Sequence, residues 1–198
     1  MIGILHYGMG NITSVKNSLE LLGIPTKLVY TPRELAGVSH IILPGVGAFS
    51  EGMKNLRALG FVPALEQEVR QRHKPFLGIC LGMQLLADVG FEGGETAGLG
   101  FIPGAVRRIA TTDVRIPHVG WNNITVSHAN SLLTEDVDFY FVHSYIFEPR
   151  DPSTVLATVE YGDTFVAAVG QGNVYGVQFH PEKSQQSGLS VLKNFFAL

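Results

Sequence analysis

The chain has 198 residues, 45% of them hydrophobic, and a formal net charge of -3 at pH 7. That is enough for one well-filled core and small for two, so a single domain over residues 1–198 is expected. The charge balance, with no basic stripe interleaved with aromatics, argues against a nucleic-acid partner; the lone cysteine excludes an internal disulfide, and the apolar N-terminal run is too short for a signal peptide or membrane span, which predicts a soluble cytoplasmic protein.

Residues 2–5 read as a short buried strand, and Ile12, Val15, Leu19 and Leu22 then recur at helical spacing until Gly23 stops the helix. A second strand at 27–30 runs into Thr31-Pro-Arg-Glu34, a capping box with proline at the first helical position. A third strand at 40–43 leads to a glycine-rich turn. Helical patterns follow around 53–56 and over 61–72, then a strand at 75–79. The second half changes character: 106–109, 124–126, 139–143, 155–161, 165–169 and 174–179 read as strands joined by turns, so this part is partly antiparallel. Leu189, Leu192, Phe195 and Phe196 mark an amphipathic closing helix. Because βαβ connections come early, the predicted fold is α/β: an open mixed, mainly parallel sheet with helices on both faces, whose ligands sit at the carboxyl ends of the strands.

That rule gives the cysteine a meaning. In Gly78-Ile-Cys80-Leu-Gly82 a strand ends and a helix begins at the sulfur, with glycines on both sides allowing a tight turn. The spacing matches the nucleophile elbow known for serine as G-x-S-x-G, which points the nucleophile into open space above the sheet, where a helix N-terminus favours the thiolate. A lone cysteine is otherwise most often a small buried hydrophobe, so a partner base decides.

His180, in Gln178-Phe-His-Pro-Glu182, lies at the carboxyl end of the 174–179 strand, on the same rim as Cys80. Pro181 favours an extended His180, and Glu182, two residues on, projects to the same side. A carboxylate there fixes the imidazole tautomer and stabilises the imidazolium, so Cys80, His180 and Glu182 fill the roles of nucleophile, base and orienter. A zinc site lacks convergent histidines or cysteines, so no metal and no cofactor is expected. His6, His40, His73, His118 and His128 read as surface or packing residues. Attack on a carbonyl also needs donors for the oxyanion: Leu81 N–H is one by elbow geometry, and the loop Pro44-Gly-Val-Gly47 leaving the third strand is placed to supply another.

PGVG, GICLGMQLL and QFHPEKS, in this order across the whole length, resemble the class I (triad) glutamine amidotransferases. Within that class YGMGN (7–11), PGVGAF (44–49), PHVGWN (117–122) and FYFVHSY (139–145) resemble the glutaminase subunits of imidazole glycerol phosphate synthase, of histidine biosynthesis. The resemblance implies that Cys80 attacks the carboxamide of glutamine, His180 protonates the departing ammonia and then activates water, and Glu182 holds His180. It implies an oxyanion donor at Val46, on a peptide that the flanking glycines allow to rotate when the partner's ligand binds. Glutamine is expected to be bound by the loop around Gly45 and Gly47, by Gln84, by Glu92 and by His143-Ser144-Tyr145. Gln84 stands one helical turn behind Cys80, where its amide fixes the substrate's carboxylate or carboxamide; for His143 a satisfied strand histidine is an equal reading.

Ammonia becomes ammonium in water and loses its nucleophilicity, so the resemblance also implies channelling to a partner, a cyclase subunit of (β/α)₈ type in a heterodimer, with Asn11, Trp121, Tyr140 and Lys183 on the contact face. Trp121, the only tryptophan, fits either an interface anchor or core packing. One residue departs from the family pattern: an acid commonly precedes YG, and here it is His6. A paralogous subunit feeding another acceptor such as a surface-polysaccharide sugar, a cysteine hydrolase acting on peptides, and a non-catalytic scaffold are the rival readings.

Overall fold

In the computed structural model, which describes residues 1–111, 114–135 and 137–198, the first half is built from βα units. Strand β1 (Ile2–Leu5) leads through helix α1 (Ile12–Leu21) to β2 (Thr26–Val29), a 3₁₀ turn (Pro32–Gly37) and β3 (His40–Gly45). Helix α2 (Phe49–Ala58) and α3 (Phe61–Leu65), which runs on into a π-helical turn (Glu66–Gln71), precede β4 (Phe76–Cys80) and the one-turn helix α4 (Leu81–Gln84). Local chemistry accounts for the boundaries. The Asn11 side chain accepts from the Ser14 amide at the start of α1, and Gly23 takes φ of 69° beyond its end. The capping box forms, with Glu34 accepting from the amides of Tyr30 and Thr31 at 2.9 Å.

The second half is strand-rich: β5 (Val89–Gly90), β6 (Thr96–Ala97), β7 (Gly104–Arg108), β8 (His118–Val126), β9 (Asp138–His143), β10 (Tyr145–Pro149), β11 (Val155–Glu160), β12 (Thr164–Gln171) and β13 (Val174–Val177), followed by a 3₁₀ turn (Pro181–Lys183) and helix α5 (Gln185–Phe196). Nine strands make one sheet in the order β2-β1-β3-β4-β13-β12-β11-β8-β9. Pairing is parallel from β2 to β13 and antiparallel from β13 to β9, the mixed sheet that the pattern of elements predicts. A second sheet, β10-β7-β5-β6, was not foreseen in the sequence. Two of its strands have only two residues each, too short for any periodicity to register.

Burial alternates across the main sheet. Ile2 and Ile4, Ile42, and Leu77 and Ile79 face the side covered by α1 and α5, whereas Leu5, Ile41 and Leu43, and Phe76 face the side covered by α2 and α3. With helices on both faces the parallel strands are apolar throughout, which is why they read as unbroken hydrophobic runs. The carboxyl ends of β3, β4 and β13 then form one rim.

Candidate active site

The register of the three central strands sets the site. Gly45 of β3 pairs with Cys80 of β4, and Val177 of β13 pairs with Ile79, so the first residue beyond β13, Gln178, comes level with Cys80. Cys80 has φ of 54° and ψ of -109°, a conformation that costs a non-glycine residue about 1–3 kcal/mol and persists only where its surroundings impose it. The flanking glycines are required by close approach. A Cβ on Gly78 would lie 2.4 Å from the Gly82 carbonyl oxygen, and one on Gly82 only 1.8 Å from that of Leu43. The helix after the sulfur is shorter than the elbow pattern implies: α4 has four residues, so it offers one turn of N–H groups and little macrodipole.

His180 follows β13 and is anchored at both backbone ends, its N–H donating to Tyr140 and its carbonyl accepting from the Ser184 hydroxyl at 2.7 Å. Its neighbour Phe179 is stacked on Phe139 with ring centroids 3.8 Å apart. The ring Nδ1 lies 2.8 Å from Glu182 Oε1, both side chains being only 2% exposed. A carboxylate beside Nδ1 assigns the proton there, which leaves Nε2, buried and without a hydrogen-bond partner among the described residues, for transfer chemistry. Burial works to lower the His180 pKa, but the interactions with Cys80 and with Glu182 outweigh it and raise it to about 9. At neutral pH the ring is therefore an imidazolium. The Tyr7 hydroxyl is also buried beneath the rim without a partner among the described residues, 2.5 Å from where a Cβ on Gly45 would lie. Burial first, and then the negative charge of Cys80, push its ionisation well above the usual tyrosine range.

A cleft of about 460 Å³ opens beside the sulfur, within the ~300–1,000 Å³ typical of small-molecule sites. Val46, Gly47, Leu81, Gln84, Glu92, His143, Ser144 and Tyr145 line it with Cys80; Gly45 lies behind the wall, packed against Tyr7 and Leu81. Val46 is 43% exposed and Leu81 buried. The cleft also takes Ala48, Pro117 and Val142, which sequence reasoning missed: they carry no reactive group, and only β8 and β9 folding over the rim brings Pro117 and Val142 there. Glu92 reaches back to accept from the Phe49 amide at 2.8 Å, tying the small-sheet loop to the start of α2.

His118 was read as a surface or packing residue. It is a packing residue, 2% exposed and stacked between Phe141 and Tyr161, and beyond that reading its Nδ1 lies 3.0 Å from His143 Nε2. Burial lowers both pKa values to about 4, in His143 aided by the charges of His118 and His180 against the Tyr145 carbonyl, so both rings are neutral near pH 7. The pairing depends on His118 and His143 standing opposite each other in the β8–β9 register, 25 residues apart in sequence, which no local signal reveals. His143 is thus at once a satisfied strand histidine and a wall of the cleft. Gln84 Nε2 donates to the Tyr145 carbonyl and to Gln178 Oε1, both at 3.1 Å. With both N–H bonds committed, Gln84 can turn only its oxygen to a ligand. It therefore has no donor left for a carboxylate, which narrows the role read from sequence to that of an acceptor.

Of the four residues expected on a contact face, three come together. Trp121 is 48% exposed and meets Tyr140 edge-on at 6.2 Å, while Lys183 Nζ lies 5.7 Å over the Tyr140 ring. Asn11 caps α1, which packs against the 3₁₀ turn holding Lys183. Among the described residues no group of three His, Cys, Asp or Glu side chains could hold a metal ion, and no helix is long and apolar enough to cross a membrane.

The family model for glutamine amidotransferase class-I matches residues 4–198. Imidazole glycerol phosphate synthase subunit HisH of Moorella thermoacetica is 47% identical over 98% of this chain and 93% of its own length, and subunit HisH 1 of Campylobacter jejuni is 43% identical over the whole of both. The chloroplastic imidazole glycerol phosphate synthase hisHF of Arabidopsis thaliana is 44% identical over 98% of this chain, which spans 34% of that longer protein. Among solved structures, a crystal structure of a glutamine amidotransferase superposes with a TM-score of 0.80 at 25% identity, covering 99% of this chain and 97% of the other.

Proposed function

The chain belongs to the glutamine amidotransferase class-I family, and on that premise we propose that it is the glutaminase subunit of an imidazole glycerol phosphate synthase, acting in the cytoplasm as one catalytic domain in a heterodimer with a (β/α)₈ cyclase. The observation that carries this reading is the shared rim: Cys80 closes β4, the adjacent parallel strand β13 delivers His180, and Glu182 lies on the far nitrogen of that ring. Identities of 43–47% to relatives named as subunits of this synthase, over nearly the whole chain, favour its acceptor over a surface-polysaccharide sugar or a peptide substrate. The Arabidopsis relative, nearly three times as long, supports a partner that can share one polypeptide with this chain.

In this mechanism glutamine enters the cleft with its side-chain carboxamide at Cys80. The thiolate adds to the amide carbon, and the oxyanion is held by the amides of Leu81 and Val46. The imidazolium of His180 gives its Nε2 proton to the leaving nitrogen, so ammonia departs and a thioester remains. The ring, now neutral, takes a proton from water, the hydroxide adds to the thioester, and glutamate leaves as the thiolate re-forms. Glu182 keeps Nδ1 protonated throughout. Gly45 and Gly47 shape the loop, while Gln84, Glu92, His143, Ser144 and Tyr145 position the substrate. Ammonia passes to the partner, which carries the lyase half of the overall reaction, across the face formed by Asn11, Trp121, Tyr140 and Lys183.

The test is Cys80→Ala in the reconstituted complex. Glutamine-dependent synthesis should disappear and synthesis from added ammonium salts should continue. Loss of both, or survival of both, contradicts a separate glutaminase site at Cys80.

A further inference from the structure

Gln178 opens the QFHPE segment and has no part in the chemistry above, yet it is fully buried at the reacting centre. Its Nε2 lies 3.7 Å from Cys80 Sγ, and its Oε1 lies 3.1 Å from Gln84 Nε2. Resting on the reading of Cys80 as nucleophile, we propose that Gln178 is a further catalytic residue, whose carboxamide N–H is donated to the Cys80 sulfur and aimed there by a one-way hydrogen-bond chain from His118 through His143, the Tyr145 carbonyl and Gln84.

The direction follows from one group whose role is never in question. A backbone carbonyl only accepts. The Tyr145 oxygen therefore receives Nδ1–H of His143 at 2.9 Å and one N–H of Gln84 at 3.1 Å. With its nitrogen so assigned, Gln84 gives its other N–H to Gln178 Oε1. Gln178 can then present only its N–H side to the sulfur. On the other branch, His143 carries its proton on Nδ1, so Nε2 is a bare acceptor for His118 Nδ1–H at 3.0 Å, and His118 Nε2 in turn accepts from the Asn122 amide at 3.3 Å. Every donor in the chain meets an acceptor only with both histidines neutral, so the lattice holds one orientation.

The consequence for the sulfur is electrostatic. An N–H in a dry site stabilises an anion more than a thiol, because bonds to charged partners are about twice as strong as neutral ones. The other groups bearing on the sulfur are His180, the Tyr7 hydroxyl and the Val142 carbonyl, the last at 3.8 Å as an acceptor for the thiol form. Of this set Gln178 is the neutral group with a hydrogen bond donated to the sulfur, so its contribution persists at any pH at which the chain is folded. Gln84, His143 and His118 act on the sulfur only through it and are positioning residues.

The test uses alkylation of Cys80, the only cysteine, by iodoacetamide in the full chain, followed from pH 5 to pH 10, because it reads the sulfur without presuming any substrate. Gln178→Glu keeps the oxygen facing Gln84 and puts a second oxygen against the sulfur, so the pH midpoint of alkylation should move up by about one unit and the rate on the limb below the midpoint fall about tenfold. Gln178→Leu should give a smaller shift in the same direction. His118→Phe preserves the stack on Phe141 and Tyr161 while removing the proton that His143 accepts, and should lower the rate below the midpoint about two- to threefold. A measurement on unmodified Gln178 guards against variants that fail to fold: its side-chain amide proton resonances should shift as pH crosses the alkylation midpoint, and should not do so in Cys80→Ala. A folded Gln178→Glu with wild-type alkylation across the range, or amide resonances indifferent to pH, overturns the proposal. Wild-type protein that alkylates as described but never hydrolyses glutamine in complex with a synthase would instead overturn the glutaminase reading and leave this one standing.

Discussion

Replacing Glu182 by Gln separates charge from shape at the rim. The amide oxygen can still accept from His180 Nδ1, as the carboxylate does at 2.8 Å, but the negative charge is gone. In the wild type, burial lowers the pKa of His180 and Cys80 and Glu182 overcome it, taking it from 6.5 to about 9. At about 1.36 kcal/mol per pH unit that net rise is worth about 3 kcal/mol, and assigning Glu182 half of it makes its charge worth about tenfold in imidazolium stability. A ring that also loses its fixed tautomer falls further, toward the ~10⁴-fold drop seen when a triad carboxylate is made an amide. The expected result for Glu182→Gln is a kcat lower by about 10²-fold or more, with KM within about threefold because Glu182 does not line the cleft. The assay is glutamate release by the complex with its synthase partner between pH 6 and pH 9, with ammonia-dependent synthesis as the internal control. A kcat within about threefold of wild type, in a variant whose circular dichroism is unchanged, would refute the assignment of Glu182 as the charge that holds His180.

Gly82→Ala places a Cβ 1.8 Å from the Leu43 carbonyl oxygen, with backbone on both sides and no flexible side chain to yield. It should destabilise by about 3 kcal/mol, lowering the thermal midpoint by roughly 6–12 °C; a midpoint within about 2 °C of wild type would show that β3 and the elbow are not in such close approach. Trp121→Ala removes a ring that is 48% exposed beside Tyr140, and should weaken the heterodimer about 30-fold if Trp121 is an anchor. Because Trp121 is the only tryptophan, its own fluorescence reports the contact: emission should shift to the blue as partner is added, and an unchanged spectrum at saturation removes Trp121 from the interface. Stability should also peak near pH 6.5–7. His118 and His143, held to about 4 by burial, resist protons that the unfolded chain accepts near 6.5, so stability is lost as pH falls from about 6.5 toward 4. His180 acts in the opposite sense: its contribution is complete below about 6.5 and is lost as pH rises through about 9. Thermal midpoints from pH 4.5 to pH 9.5 test both limbs. Cys80→Ala should flatten the alkaline one, since Cys80 is foremost among the groups that raise His180.

The local signals were sufficient for much of this molecule. β1, the capping box at Thr31, the glycine stop at Gly23 and the turn at Cys80 each depend on a few adjacent residues, and each formed where the sequence reading put it. The same holds for His180 and Glu182, whose two-residue spacing and intervening proline carry their own geometry. The boundaries of β8 and the existence of β10 escaped, since antiparallel pairing across a long loop satisfies backbone groups that no local pattern marks. Partner choice for polar side chains was out of reach for a related reason. A buried histidine or glutamine is neutral to periodicity, and what it does is settled by which donor or acceptor another strand brings opposite it. Gln178 stands level with Cys80 only because β13 inserts beside β4, and His118 meets His143 only through the β8–β9 register. Residue chemistry and short spacings, then, are properties of the chain and determined what kinds of groups this protein has to work with. Which of those groups face one another, and therefore which proton sits where, is a property of strand order and burial, and the tertiary structure alone decided it.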